Sequence, residues 1–220
     1  MKLLLTSAGV KNASIENALV ELLGKPIGES SALCIPTASY GHAPGGIRGA
    51  YRFITGQATT PMCELGWKSM GVLELTALPT LGRELWVPLV EEVDVLLANG
   101  GDSLYLAHHM RESGLVGLIP ALGAVWVGLS AGSMVMTPRI GEDFKVWNPP
   151  GGGDRALGLV DFSIFPHLDH PDLPENTMAD AERWATGLSG PAYAIDDETA
   201  IRVVDGAVDV VSEGHWKLFG

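Results

Sequence analysis

Ser130 lies in the segment Gly128-Leu-Ser-Ala-Gly132, and its hydroxyl is the group in this sequence best placed for covalent chemistry. The segment directly follows the apolar run 124–128, which predicts a strand, and precedes residues 133–136, which can begin a helix. A serine on such a strand-to-helix turn, with glycines that remove Cβ clashes, forms a nucleophile elbow. The pattern therefore predicts a serine hydrolase; the alternative is an ordinary strand–helix turn.

Attack by a serine on an acyl group requires N–H donors that bind the developing oxyanion. The amide of Ala131 follows the serine at a helix N-terminus and is the first candidate. Gly101 is the second, because there a buried strand opens into two glycines before a helix capped by Asp102 or Ser103. Strand ends gather at one edge of a doubly wound sheet, so Gly101 is expected to face the serine. The alternative is a glycine turn leading into a helix cap; neither P-loop nor dinucleotide spacing is present.

A general base must lie at the same sheet edge as the serine. The six histidines are His42, His108, His109, His167, His170 and His215. His167 ends the apolar strand around 162–165 and is the preferred base, whereas His170 follows in a less constrained loop. His108 and His109 lie within a predicted helix, which favours a surface or packing role.

The carboxylate that orients the base stays open when only the residues are considered. The candidates follow strand ends or lie near the histidine, and any of them could hold the imidazole in the tautomer that accepts the serine proton. They are Asp196, Asp197, Glu198, Glu142, Asp143 and Asp169.

Short apolar runs alternate with segments of helical spacing from the first residue onward, which predicts a doubly wound α/β fold with a mostly parallel sheet and helices on both faces. Predicted strands cover 2–6, 32–36, 71–78, 93–98, 124–128, 162–165 and 193–195, and predicted helices 14–23, 48–55, 83–92, 102–115 and 179–186. Residues 199–211 predict a C-terminal hairpin that turns at Asp205-Gly206. We expect one domain over residues 1–220, since no boundary or internal repeat is visible.

The composition argues against several classes of protein. A net charge of −12 with only 14 Lys and Arg residues disfavours a nucleic-acid partner, because that affinity comes from neutralising phosphates. The longest apolar run is too short for a membrane helix, and the first residues are too short for a signal peptide, so a cytoplasmic location is expected. Cys34 is expected in the core. Trp67, Leu73 and Leu75 would suit either a homodimer interface or the core.

Four blocks of the sequence resemble the peptidase E (aspartyl dipeptidase) family, which is related to class I glutamine amidotransferases. These blocks are Asn99-Gly-Gly-Asp-Ser103, Gly128-Leu-Ser-Ala-Gly132, Leu159-Val-Asp-Phe-Ser-Ile-Phe-Pro-His167 and Ile195-Asp-Asp-Glu-Thr-Ala-Ile201. Leu3-Leu-Leu-Thr-Ser7 and Ile35-Pro-Thr-Ala38 also match, so the resemblance covers nearly the whole chain. The second and third blocks together are the most specific.

The resemblance implies a glutamine amidotransferase-like fold and a serine-type peptidase or dipeptidase with the chain order Ser, His, acid. Ser130 falls on the nucleophile of the family and His167 on its histidine. Asp197 falls where the family usually places a glutamate or another triad acid. Gly101 and Ala131 fall on the oxyanion amides, and no metal or cofactor is expected. The order differs from the Ser, Asp, His order of α/β-hydrolases.

This sequence departs from the family pattern at one helix, which in family members recognises the substrate. Members that cleave Asp-X dipeptides have an arginine there, whereas this sequence has Met178, with Arg183 further along. The expected substrate is therefore a small peptide, with Asp-X dipeptides as one candidate. The rival interpretations are an acyl hydrolase of another substrate and an inactive binding homologue.

Overall fold

The alternation of apolar runs and amphipathic segments becomes an alternation of strands and helices in the computed structural model, which describes residues 1–42 and 46–220. The strands are β1 Lys2–Thr6, β2 Ser31–Ile35, β3 Ser69–Val72, β4 Val95–Ala98, β5 Val125–Leu129, β6 Ser163–Phe165, β7 Ala192–Ile195, β8 Thr199–Val204, β9 Ala207–Ser212 and β10 Trp216–Phe219. The helices are α1 Ala13–Leu23, α2 Thr37–Tyr40, α3 Gly46–Ile54, α4 Arg83–Glu92, α5 Ser103–Glu112, α6 Ala131–Met134 and α7 Met178–Thr186.

Seven strands form one sheet in the order β3-β2-β4-β5-β1-β8-β9. The first five in that order are parallel, and β8 and β9 are antiparallel to their neighbours. The β8–β9 hairpin turns at Asp205 and Gly206, whose φ angles of 49° and 87° suit a two-residue turn. The predicted α/β fold with a mostly parallel sheet and a C-terminal hairpin is thus confirmed.

Helices cover both faces of this sheet because successive strand residues point to opposite sides. Leu3 and Leu5 of β1 lie in one apolar cluster with residues of α4, α5 and α6, whereas Leu4 lies in another with residues of α1. The α1 helix begins where the Asn12 side chain accepts a hydrogen bond from the Ile15 amide. Cys34 is fully buried, as expected.

The predicted strand 71–78 is wrong beyond Val72. The Leu73 amide still bonds to the Cys34 carbonyl, at 2.8 Å, but the Leu75 amide donates to the Thr37 hydroxyl, at 3.1 Å. The chain therefore leaves the sheet although its leucines remain apolar. Leu73 and Leu75 are 4% and 0% exposed, so core packing accounts for them.

A second sheet, in the order β10-β7-β6, packs against the first. Ile164 of β6 and Ile195 of β7 belong to the same apolar cluster as Leu3 and Trp126 of the large sheet. The chain passes from β7 directly into β8, so it crosses from one sheet to the other at residues 196–198. Within the described ranges, no helix has both the length and the apolar character needed to cross a membrane.

Candidate active site

Ser130 occupies the sharp turn between β5 and α6. Its φ of 49° and ψ of −106° place a non-glycine residue in a strained conformation. The turn depends on small neighbours, because a Cβ on Gly128 would lie 2.4 Å from the Gly132 carbonyl oxygen. The Ser130 amide donates to the Thr6 carbonyl, at 3.0 Å, and this bond joins the turn to the end of β1. The local geometry is that of a nucleophile elbow.

The Gly100-Gly101 loop after β4 lies beside this turn. A Cβ on Gly100 would come within 3.6 Å of the Ser130 Cβ. Gly101 has a φ of 139°, and a Cβ there would lie 2.3 Å from the Ala38 carbonyl oxygen, so the position requires glycine. Neither the Gly101 nor the Ala131 amide donates to an acceptor among residues 1–42 and 46–220. Both amides can therefore donate a hydrogen bond to a ligand oxygen.

His167 and Asp197 follow the strands β6 and β7 of the small sheet and meet at 2.7 Å, between Nδ1 and Oδ1. Burial acts to raise the pKa of Asp197, but the hydrogen bond from His167 and other neighbouring donors outweigh it and lower this pKa below its ordinary value. The other carboxylate oxygen faces His170 Nε2 at 3.6 Å and Lys11 Nζ at 3.8 Å. Asp197 can thus remain ionised while it is hydrogen-bonded to the His167 imidazole.

Ser7, which sequence reasoning missed, contacts both members of this pair. Its hydroxyl oxygen accepts the His167 backbone N–H at 2.7 Å, and the hydroxyl donates to Asp197 Oδ1 at 3.0 Å. The sequence carries two weak signals: Ser7 directly follows the first strand, as Ser130 follows β5, and it ends the segment Leu3-Leu-Leu-Thr-Ser7 that resembles the family. A serine there is too common to be singled out.

Ser130 and His167 are not joined by a hydrogen bond within the described residues. They are nevertheless anchored to consecutive residues of one strand end, since Ser130 bonds to Thr6 and His167 bonds to Ser7. Hydrogen bonds between a nucleophile and its base are often long without substrate and tighten in the substrate complex.

The other candidate carboxylates have different partners. Asp196 accepts bonds from the Thr199 hydroxyl at 2.6 Å and from the His215 amide at 2.7 Å, and so stabilises the turn between β7 and β8. Glu198 Oε2 bonds to Asn12, at 3.0 Å, and Asp169 pairs with His215, at 2.9 Å. Of the six acids considered, the structure brings Asp197 to His167. Glu142 pairs with Lys145, and Asp143 lines a different cavity.

The remaining described histidines have contacts of their own. His108 and His109 of α5 stack with each other and with neighbouring aromatic rings, as the packing interpretation expects. Burial and the adjacent His108 lower the pKa of His109. His170 lies near Asp197, as described, and His215 bonds to Asp169 and Asp196.

A cavity of about 330 Å³ opens beside the glycine loop. Part of its lining is polar: the Ser39 hydroxyl donates to the Gly100 carbonyl at 3.1 Å and accepts from Asn99 at 2.6 Å. Its lining includes the cationic side chain of Arg52 and no carboxylate among the described residues. The residues are Ser39, His42, Gly46, Gly49, Arg52, Ala58, Thr59, Thr60, Asn99, Gly100 and Gly101.

A model of Peptidase family S51 matches residues 3–211, which is nearly the whole chain and includes every residue of the site described above. The chain belongs to peptidase family S51. This membership supports a peptidase activity, and it agrees with the resemblance seen in the sequence.

Named relatives of this S51 protein are similar over its full length. It is 26% identical over 227 residues to Peptidase E of Escherichia coli O6:K15:H31 strain 536, a match that covers 100% of this chain and 90% of the relative. Peptidase E of Escherichia coli strain K12 / DH10B matches with the same identity and coverage.

Solved structures share the fold of the S51 chain. A candidate peptidase E from Listeria monocytogenes EGD-e superposes with a TM-score of 0.67 at 20% identity, over 97% of this chain and 98% of the other. A peptidase from an acI-B1 Actinobacterium gives 0.64 at 20% identity, over 98% and 88%. At these identities the likeness concerns the fold alone.

The helix at which this sequence departs from the family pattern is α7. Met178 begins this helix and packs against a small apolar cluster, whereas Arg183 pairs with Asp180 at 2.6 Å. Arg183 also lines the same separate cavity as Asp143. Of the described arginines, Arg52 is the one that borders the cavity next to the glycine loop.

Proposed function

We propose that this chain is a serine-type peptidase that hydrolyses a small peptide through Ser130, His167 and Asp197. The observation that carries the proposal is the 2.7 Å contact between His167 and Asp197, held at the same strand end that anchors the Ser130 turn. The Gly101 and Ala131 amides would supply the oxyanion donors.

The proposed reaction begins when Ser130 Oγ attacks the peptide carbonyl carbon and His167 takes the hydroxyl proton. Asp197 stabilises the resulting imidazolium, and the two amides bind the oxyanion. The C–N bond then breaks as His167 gives its proton to the leaving amine, which leaves an ester on Ser130. Water activated by His167 hydrolyses this ester and restores the serine.

Asp-X dipeptides are the proposed substrates, bound with a carboxylate near Arg52. In a chain of net charge −12, a cavity whose charged lining is cationic favours an anionic group. Such a dipeptide has two carboxylates, the aspartate side chain and the C-terminus, and either could enter the cavity. Arg52 would take the place of the arginine that the family resemblance leads us to expect at position 178, where this chain has Met178.

Labelling by a fluorophosphonate tests the serine mechanism directly. The wild type should be labelled at Ser130 and should cleave at least one peptide of a dipeptide panel. Ser130→Ala should lose both properties, whereas Ser113→Ala, a buried serine at the far end of α5, should keep them. A Ser130→Ala protein with full peptidase activity would refute the mechanism.

The same assay separates the rival functions. An inactive binding homologue, suggested by the lack of a direct Ser130–His167 bond in the described residues, should resist the label. An acyl hydrolase of another substrate should be labelled but prefer p-nitrophenyl esters over all dipeptides.

Substitution of Arg52 tests the proposed substrate. Arg52→Gln should lower kcat/KM for Asp-X by roughly 10- to 100-fold, the range expected when a charge-assisted hydrogen bond is lost. If the side-chain carboxylate is bound, Asn-X cleavage should change little; if the C-terminus is bound, Asp-X amides should change little. Arg48→Gln on the same helix is the matched control. Equal effects on all substrates would exclude recognition of a carboxylate by Arg52.

A further inference from the structure

The hydroxyl of Ser7 occupies a central place between the two sheets. Ser7 follows β1, the strand that also anchors the Ser130 turn, and its side chain is completely buried. A buried hydroxyl needs hydrogen-bond partners, and those of Ser7 all belong to the two residues that follow the small sheet's strands β6 and β7. They are the His167 amide, Asp197 Oδ1 and, at 3.4 Å, His167 Nδ1.

The direction of these bonds follows from the groups involved. A serine has one hydroxyl proton, and the carboxylate at 3.0 Å can only accept it. The Ser7 oxygen then keeps its lone pairs for the His167 N–H, at 2.7 Å. Asp197 Oδ1 consequently accepts two hydrogen bonds, one from the Ser7 hydroxyl and one from His167 Nδ1 at 2.7 Å.

The backbone of His167 has an unusual conformation at the point where its amide bonds to Ser7. His167 has a φ of 57°, in the left-handed region that non-glycine residues seldom occupy. Such a conformation persists only when its surroundings enforce it. The bond from the His167 amide to Ser7 holds the backbone, and the bond from Nδ1 to Asp197 holds the ring. Both the backbone and the side chain of His167 are therefore fixed.

We propose that Ser7 is a positioning residue for the reaction: its single hydroxyl fixes the backbone of His167 and one oxygen of Asp197, and so aligns the base with Ser130. The inference rests on the proposed function of the site. Ser7 acts through the His167–Asp197 pair and is not expected to touch the substrate. Its loss should therefore lower kcat and leave KM unchanged.

The pH profile gives a second readout that a merely structural role would not move. The Ser7 hydroxyl stabilises the ionised Asp197 carboxylate through a hydrogen bond. Removal of the hydroxyl therefore favours uptake of a proton by the His167–Asp197 pair. The acid limb of the kcat/KM profile, which reports the pair as a unit, should move to higher pH.

The test compares Ser7→Ala, Ser7→Thr and Ser30→Ala. Ser30 is also a completely buried serine, but its hydroxyl bonds to the Pro26 carbonyl, far from the site. Ser7→Ala should lower kcat by roughly 10- to 100-fold, the range for a lost hydrogen bond to a charged group. Ser7→Thr, which keeps the hydroxyl, should recover most of the rate. Ser30→Ala should lower stability and retain kcat. If threonine does not fit, Ser7→Cys tests the same rescue with a weaker donor.

A carbon NMR titration of the Asp197 carboxyl group separates failure of this inference from failure of the proposed function. Ser7→Ala should raise the pKa of Asp197, whether or not a substrate is found, because a hydrogen bond to the ionised form is lost. Unchanged kcat, pH profile and Asp197 titration in folded Ser7→Ala would overturn the inference. A wild type that is neither labelled nor active would overturn the proposed function, and the titration would still decide the role of Ser7.

Discussion

At the scale of single residues, one carboxylate oxygen organises the candidate site. Asp197 Oδ1 accepts bonds from His167 at 2.7 Å and from Ser7 at 3.0 Å, while Oδ2 faces the more distant His170 and Lys11. Such an arrangement fixes the tautomer of the imidazole and leaves its other nitrogen available for a proton from the serine.

Replacement of Asp197 tests this arrangement. Asp197→Asn should reduce kcat by roughly 10⁴-fold, as expected when the orienting acid is lost and the imidazole adopts the wrong tautomer. Glu198→Gln is the control, because this neighbour bonds to Asn12 rather than to the imidazole. Steady-state kinetics on the best peptide substrate would measure both. Similar rates for Asp197→Asn and the wild type would assign the acid elsewhere.

The lowered pKa of Asp197 also predicts how stability depends on pH. A carboxylate whose folded pKa lies below its unfolded value of about 3.9 stabilises the fold above that value. The contribution is lost as the pH falls through the folded pKa. The difference in free energy of unfolding between wild type and Asp197→Asn should therefore shrink below about pH 4. Urea unfolding between pH 7 and pH 3 would measure it; a constant difference would contradict the prediction.

The sequence predicted some residues of the site better than others. Ser130 and His167 could be proposed from their places after apolar strands, because parallel strand ends meet at one edge. Asp197 could be chosen over its neighbours only through the resemblance to a family, since three consecutive acids follow β7. Which of them faces the imidazole depends on how the β7–β8 turn is hydrogen-bonded, and spacing carries no information about that.

At the scale of elements, the turn between β5 and α6 is built around close backbone contact. Gly128 lies against the Gly132 carbonyl, and Gly132 in turn lies against the end of β4, where a Cβ would come within 2.3 Å of the Ala98 carbonyl oxygen. These glycines let α6 begin immediately after Ser130. The elbow and the glycine loop are held together in this way.

A methyl group at Gly128 should therefore disturb the elbow. Gly128→Ala should lower the free energy of unfolding by about 1–3 kcal/mol, the usual cost of overpacking, and slow fluorophosphonate labelling of Ser130. Gly123→Ala is the matched control, because a Cβ at Gly123 would meet nothing within 4 Å. Chemical unfolding and labelling rates measure the two effects. Equal results for both variants would show that the close contact is dispensable.

The sequence predicted the type of most elements and missed where some of them end. The leucines within residues 73–78 make this segment look like a continuing strand, but the hydroxyl of Thr37 accepts the Leu75 amide N–H and the pairing ends. Such side-chain capture of a backbone group depends on the position of α2, which no local pattern reveals.

At the scale of the whole molecule, the candidate site is divided between two sheets. The large sheet supplies Ser130, Gly101 and Ser7, and the small sheet supplies His167 and Asp197. Their relative placement depends on the apolar cluster that both sheets share, to which Ile164 of β6 contributes. The alternation of elements predicted the large sheet, but the small one, formed by short strands distant in sequence, was not foreseen.

Packing between the sheets should thus affect catalysis as well as stability. Ile164→Val and Ile15→Val each remove one methylene from a fully buried side chain and should each cost about 0.5–1.5 kcal/mol of unfolding free energy. Ile15 lies on α1, against the opposite face of the large sheet. Only Ile164→Val should also lower kcat. Equal kcat values in the two variants would show that the docking of the sheets tolerates small shifts.

The position of β1 determines when the residues of the candidate site can come together during folding. This strand pairs with residues 125–129 on one side and with residues 199–204 on the other, so its two neighbours are separated from it by more than half of the chain. Contacts between such distant segments form slowly, because the intervening loop must first be closed. On the ribosome, β1 must wait until β8 has been synthesised, and the residues of the candidate site remain apart in the nascent chain until then.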